Sequence, residues 1–275
     1  MKTYKGKTAL VTGASSGIGK AMAQDLAQRG AHLILTARSE GALQSLAAEL
    51  RTRFKVNVSV IAADLAQAGA AAGLMQAVTA QGLSVDLLVN NAGFGKWGAF
   101  QEIETDANGE MIQLNITSLV ELTRLCLPAM TARREGGVIN VASTAAFVPL
   151  SYAAVYSAAK TFVLYFSEAL WGECRGTGVH VMALCPGGTA TNFAVVASDV
   201  AALSTARPGM DTPEMVAGAG LDAFLQGRVY LITGKSNQSI AFLPRFLTRK
   251  QMVITAGRRW KKVVDLVQGM KATGG

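Results

Sequence analysis

Three cysteines in 275 residues, Cys126, Cys174 and Cys185, are too few and too widely spaced for a disulfide framework. Only two histidines, His32 and His180, could join them, so no ligand set has the spacing of a structural zinc site and no metal is expected. Unpaired thiols fit a reducing, cytoplasmic setting. Charge is scarce as well: 16% of residues are charged against 50% apolar, which excludes a disordered chain and leaves ample material for a deep core. Long apolar runs are missing. No window reaches the roughly 18 uninterrupted apolar residues of a membrane-spanning helix. The opening MKTYKGKTALVTG passes straight into a strand-like run, without the apolar stretch and small-residue cleavage site of an export signal.

What charge there is lies unevenly. From Arg228 onward ten Lys or Arg accompany one acid, while Met1 to Gly227 holds sixteen bases and seventeen acids, so the C-terminal stretch carries all of the net +8. Such a stretch suits an anionic surface or ligand, and equally a solvated helix face. Nucleic acid is not expected as a partner, because no recognisable reading module accompanies the basic residues.

Apolar, β-branched runs at 8–12, 31–36, 56–62, 85–90, 137–141, 179–184 and 229–233 alternate with segments of helical period near 17–29, 39–53, 66–81, 104–132, 151–176 and 213–226. Each helical segment is long enough to cross back over a sheet. The alternation predicts one α/β domain over residues 1–234, a doubly wound, Rossmann-type sheet of seven mostly parallel strands with helices on both faces. Residues 189–212, rich in small side chains and weak in period, read as a lid. Residues 235–275 read as a basic amphipathic helical extension with Val253, Trp260, Val264 and Val267 on one face.

The first strand runs out through Thr12-Gly13-Ala14-Ser15-Ser16-Gly17-Ile18-Gly19 into a helical pattern. Glycines at a strand-to-helix turn let backbone approach a pyrophosphate, and the free N–H groups of the helix N-terminus hold it. Ser15 and Ser16 add hydroxyl donors. After the second strand comes Ala37-Arg38-Ser39, where an NAD site usually carries an acid for the adenosine ribose. Ala37 leaves room there and Arg38 can fork onto a 2′-phosphate, which favours NADP(H) over NAD(H); the alternative readings of Arg38 are a plain surface base or one that only stacks on the adenine.

Tyr156 and Lys160 stand four apart, on one helix face. A nearby ammonium favours the phenolate, and so lowers a tyrosine pKa from near 10 toward the range where it exchanges protons usefully. Ser143 follows the fifth strand and so emerges at the carboxyl edge of the sheet, where ligands of such folds bind; it suits a donor that polarises a carbonyl, or a helix cap.

Taken in order, TGASSGIG at 12–19, Asn90-Asn91-Ala92-Gly93, Ser143, the Tyr156/Lys160 pair and Pro186-Gly187 make residues 7 to about 234 resemble the short-chain dehydrogenase/reductase family. The resemblance implies NADP(H)-dependent, reversible reduction of a ketone or aldehyde by hydride transfer. Tyr156 is then the general acid/base, Ser143 its partner on the carbonyl oxygen, Lys160 a binder of the nicotinamide ribose, and Asn115 the fourth catalytic residue, holding a water next to the lysine. It further implies that Asp64 and Leu65 lie against the adenine, that Asn91, Ala92 and Gly93 line the adenosine side, and that Pro186, Gly187, Thr189 and Thr191 hold the nicotinamide and phosphate end. Gly188, an extra glycine after the usual pair, is a departure that loosens the start of the lid. Relatives pair through their two long helices, which implies a homodimer or homotetramer. A catalytically idle NADP-binding sensor or scaffold is the rival reading, and the complete Asn115, Ser143, Tyr156 and Lys160 set argues against it.

Phe94, Trp97, Phe147 and Phe193 offer apolar walls near Ser143 and Tyr156, consistent with a lipophilic small-molecule carbonyl substrate, or with core and subunit contacts. The basic extension leaves three readings open: peripheral contact with an anionic membrane, attraction of acyl-carrier or coenzyme A substrates, and plain solvation or subunit contact.

Overall fold

A computed structural model describes residues 1–198, 200, 210–242 and 246–272. Seven strands, β1 (Thr8–Thr12), β2 (His32–Thr36), β3 (Val58–Val60), β4 (Leu87–Asn90), β5 (Gly136–Val141), β6 (Val179–Cys185) and β7 (Tyr230–Ile232), form one parallel sheet in the order β3-β2-β1-β4-β5-β6-β7. The strand order reverses between β1 and β4, and ligands of open α/β sheets bind outside the carboxyl ends of the strands at such a point.

Side chains alternate across a strand, so each inner strand feeds two cores. Ala9 and Val11, Leu33 and Leu35, Leu87 and Val89, Ile139 and Val141 enter the layer beneath α1 (Gly17–Gln28), α2 (Glu40–Phe54) and α8 (Pro213–Leu225). Their neighbours Leu10, Ile34, Leu88 and Val138 enter the opposite layer, beneath α3 (Ala70–Ala80) and α5 (Ser118–Ala132). The sheet is therefore apolar on both faces, which is why its strands read as unbroken hydrophobic runs.

One polar seam crosses this core. Asn90 Nδ2 donates to Asn140 Oδ1 at 2.9 Å and to Thr123 Oγ1 at 3.1 Å, and Asn140 Nδ2 donates to Ser167 Oγ at 2.9 Å. The seam joins β4 and β5 to α5 and to α6 (Ala154–Glu173), the helix that carries Tyr156 and Lys160. Buried amides are costly without partners, so this set fixes helix against sheet.

Three expected elements differ. β3 is Val58–Val60, shorter than 56–62, and follows directly on α2, which runs to Phe54 and is closed by Lys55 in the left-handed region (φ 56°). The single helix expected over 104–132 is α4 (Thr105–Ile112) and α5 joined by a π turn at Gln113–Thr117. The basic extension is two helices, α9 (Lys235–Phe242) and α10 (Arg249–Ala272). The lid is described at both ends, where α7 (Phe193–Ser198) begins it; 199 and 201–209 lie outside the described residues. Among the described residues no helix is long and apolar enough to cross a membrane.

Candidate active site

The turn after β1 is shaped by what it must pass. Gly13 has φ +66°, and a Cβ on it would lie 2.8 Å from Asn91 Nδ2; Gly19 faces the Gly13 carbonyl with no room for a Cβ at all. Thr12 anchors the turn to β4, its Oγ1 accepting from the N–H groups of Asn91 and Ala92, each at 2.9 Å. Asn91 Nδ2 donates back to Thr12 O at 2.9 Å. Asn91, assigned to the adenosine side by resemblance, thus spends its amide on holding the turn. Ile18 turns onto the core. Ser16, exposed and making no side-chain capping bond, stands at the start of α1.

A cavity of about 380 Å³ opens over this turn, between Ser16, Gly17 and Lys20 on one side and Thr191 and Asn192 on the other. It has the free N–H groups of a helix N-terminus, hydroxyls and a lysine, a donor set suited to a pyrophosphate. Arg38 lies exposed beyond β2, with Ala37 half-buried before it and no acid from 37 to 39. Asp64 Oδ1 accepts from Ala66 N at 3.1 Å, while Leu65 places its side chain in the core under α3 rather than at the surface.

The catalytic candidates meet at the carboxyl edge of the sheet. Lys160, 5% exposed, donates from Nζ to Val141 O at 2.8 Å, and its Nζ lies 5.9 Å from the centre of the Tyr156 ring. Ser143 Oγ accepts from Ala145 N at 3.0 Å, capping a short turn, and stands near enough to the Tyr156 hydroxyl to favour its ionised form. The cap reading of Ser143 is met by the bond to Ala145 N. Asn115 sits in the π turn, 1% exposed, with Oδ1 accepting from Phe94 N at 3.1 Å and Nδ2 donating to Phe94 O at 2.8 Å. The wider π turn re-aims one residue inward, a device often found at functional sites. Gly93 completes the cluster: a Cβ there would lie 2.7 Å from Asn115 Oδ1 and 3.4 Å from Lys160 Nζ.

Burial overrides the expected electrostatics of the pair. Desolvation pushes the Tyr156 hydroxyl up to about 12, against the opposing pull of Ser143, and pushes Lys160 down to about 8. Lys160 directs its N–H at the Val141 carbonyl rather than at the phenol, so Tyr156 is held protonated instead of being drawn toward the phenolate.

Above this cluster, Phe193 lies against the Tyr156 ring with centroids 5.3 Å apart. Thr191 reaches back over Gly17, and its Oγ1 accepts from Phe193 N at 3.2 Å. Gly188 is held at the start of the lid. Its carbonyl accepts from Asp211 N at 3.1 Å and Ala190 N donates to Asp211 O at 3.0 Å, so the two described ends of the lid are clasped, with buried Thr189 bridged to Asp211. Pro186 O accepts from Thr144 N at 2.9 Å, and Asn237 of α9 packs its amide directly on Gly187.

The apolar walls divide. The Phe193 ring borders the cluster, and Phe94 joins it through its backbone N–H and carbonyl; Trp97 stands farther out, its backbone N–H on Ala197 O at 2.9 Å and its ring edge-on to Trp260 of α10 at 5.5 Å. Phe147 does not join them: it packs on Tyr230 of the edge strand, centroids 6.2 Å apart, because the turn after Ser143 carries it over α6 toward β7. In α10, Val264 and Val267 are buried and Trp260 half-buried, as the helical period requires, but Val253 is 41% exposed. The sequence gives no hint of Val141 O, Asn237 or the partner of Trp260, since each contact joins segments far apart in the chain.

A family model described as short chain dehydrogenase matches residues 7–200. The chain is 32% identical over 251 residues to the human very-long-chain 3-oxoacyl-CoA reductase, covering 89% of this chain and 78% of that one. A short-chain dehydrogenase from Sphingobium yanoikuyae, solved in complex with NADPH, superposes with a TM-score of 0.76 at 27% identity, covering 97% of this chain and 95% of the other. A 7beta-hydroxysteroid dehydrogenase superposes with a TM-score of 0.82 at 26% identity over 92% and 97%.

Proposed function

The chain belongs to the short-chain dehydrogenase/reductase family, and from that premise we propose that it is an NADP(H)-dependent reductase of a lipophilic ketone, working reversibly through Tyr156. The observation that carries the reading is the convergence of Tyr156, Ser143, Lys160 and Asn115 on one point of the sheet edge, beside a phosphate-binding turn. Gly13, Ser15, Ser16, Gly17 and Gly19 would hold the cofactor pyrophosphate, Arg38 its 2′-phosphate, and Thr189 and Thr191 its nicotinamide side. Bound there, the cofactor supplies a hydride to the carbonyl carbon.

The chain's own residues do the rest. Ser143 and Tyr156 hydrogen-bond the carbonyl oxygen as negative charge grows on it, a preorganised donor pair of the kind that contributes most to such catalysis. Tyr156 then delivers its proton to that oxygen. Lys160, as an ammonium, steadies the phenolate left behind, and Asn115 holds the loop at Phe94 in place. A 3-oxoacyl-CoA reductase and a hydroxysteroid dehydrogenase among the relatives support a lipophilic substrate, as does the Phe193 ring at the cluster. Exposed Leu125 on α5 and Phe162 and Tyr165 on α6 support self-association through those helices, and three buried free cysteines support a reducing, cytoplasmic location.

The pH dependence follows from the charge on Lys160. Below about 8 the ammonium is present and turnover of ketone reduction is flat; above about 8 it is lost and turnover falls, while Tyr156, near 12, stays protonated throughout. A kcat profile level to pH 10 at saturating substrate would remove Lys160 from the role given to it. The function itself is tested by following NADPH oxidation over ketones of graded bulk, including 3-oxoacyl thioesters, with NADH for comparison. Consumption of NADPH with bulky apolar ketones is the expected result. Tight NADPH binding without oxidation by any of them would favour the scaffold reading instead.

A further inference from the structure

The catalytic reading leaves the outer face of α10 unexplained. Its inner face is occupied: Val264 and Val267 are buried, Trp260 meets Trp97, and a Cβ on Gly257 would lie 2.9 Å from Ser151 Oγ. At 3.6 residues per turn the opposite face collects Arg258, Arg259 and Lys262, all exposed, with exposed Lys261 at its border. Asp265, the sole acid of the helix, pairs with Lys261 at 2.9 Å, leaving the face strongly positive. Apolar side chains flank the charges: Ile254 is 42% and Leu266 50% exposed, and Phe246, just ahead of the helix, is 72% exposed.

We propose that this face docks the protein on an anionic phospholipid surface and sets the mouth of the catalytic cleft toward the lipid. Charge complementarity supplies the attraction, as for polybasic segments generally. The apolar flank decides the kind of anion: Phe246, Ile254 and Leu266 have no use against a soluble polyanion but enter the headgroup boundary of a bilayer. A free phosphate ligand is disfavoured by shape, since the basic side chains stand on a convex helix and form no cradle.

Position links the surface to the site. Trp97, which α10 covers, belongs to the loop that carries Phe94, and Trp97 and Ala194 of α7 pack in one cluster with Val267. Both segments reach Tyr156, through Gly95 and Phe193. One helix thickness, about 10 Å, therefore separates lipid-facing charges from the walls of the cleft. A lipophilic ketone dissolved in the bilayer would reach that cleft without crossing water. This link to substrate entry rests on the ketoreductase reading; lipid binding by α10 does not.

The test is flotation of the full chain with vesicles of phosphatidylglycerol in phosphatidylcholine, against phosphatidylcholine alone, at low and high salt. Binding to the anionic vesicles only, released by salt, is expected. The double variant Arg258→Glu/Lys262→Glu should lower the partition coefficient at least about tenfold, with unchanged thermal unfolding and unchanged turnover of a water-soluble ketone in vesicle-free buffer. No flotation of the wild-type chain, or equal flotation of the variant, overturns the proposal, as does retention on heparin without vesicle binding. Salt-sensitive flotation of a chain that oxidises no NADPH would uphold the docking face and sink the ketoreductase reading alone.

Discussion

Tyr156→Phe should lower the turnover of ketone reduction by about two powers of ten or more, the usual contribution of a positioned general acid, with NADPH affinity nearly unchanged. The substitution removes one oxygen and little else. The ring keeps its contact with Phe193 at 5.3 Å and stays 5.9 Å from the Lys160 ammonium, so the walls of the cleft and the helix remain as they are. What disappears is the proton that burial holds on the hydroxyl up to about 12, and one of the two donors proposed for the carbonyl oxygen. Ser143 alone can still polarise the carbonyl but is far too weak an acid to protonate it efficiently at neutral pH. Steady-state kcat, with fluorescence titration of NADPH for binding, separates the two effects. Turnover within tenfold of the wild type would mean that another group supplies the proton.

Much of this was legible along the chain because the relevant information is local. Unbroken apolar runs such as 85–90 and 137–141 announce strands buried on both faces, and the structure divides their side chains between two cores accordingly. The four-residue step from Tyr156 to Lys160 fixes a shared helix face, and the glycine turn fixes its own geometry because Gly13 and Gly19 have no space for a Cβ. What the chain did not disclose is set by contacts between distant segments. Periodicity put Trp260, Val264 and Val267 on one face of a helix but could not name Trp97 as what that face meets. Phe147 looked like a pocket wall from its place after Ser143, yet the path of the turn sends it to Tyr230. The π turn at Asn115 has no composition of its own, and nothing near it in the chain names Phe94 as the partner of its amide. The upward shift of Tyr156 escapes the sequence for the same reason: spacing reveals a neighbouring ammonium but not how much water is excluded around the pair.

Arg38→Asp should raise the KM for NADPH by about one to two powers of ten, the worth of a charge-assisted bond to phosphate, and should improve the use of NADH. The argument is one of position and of what is absent. Arg38 stands exposed beyond the carboxyl end of β2, and β2 lies beside β1, whose own carboxyl end carries the phosphate-binding turn. From 37 to 39 no carboxylate could accept bonds from a ribose hydroxyl. A planar guanidinium matches a phosphate in two parallel bonds, and an aspartate there repels the same group while accepting from a bare ribose. Arg38→Ala separates these effects: it loses the attraction without adding repulsion, so NADPH should weaken less than in Arg38→Asp and NADH should gain little. If instead the guanidinium only stacks on adenine, both cofactors weaken together in Arg38→Ala and their ratio does not move. Measuring kcat/KM for the two cofactors in both variants decides between recognition of the phosphate and general support of the nucleotide, because only the first changes preference.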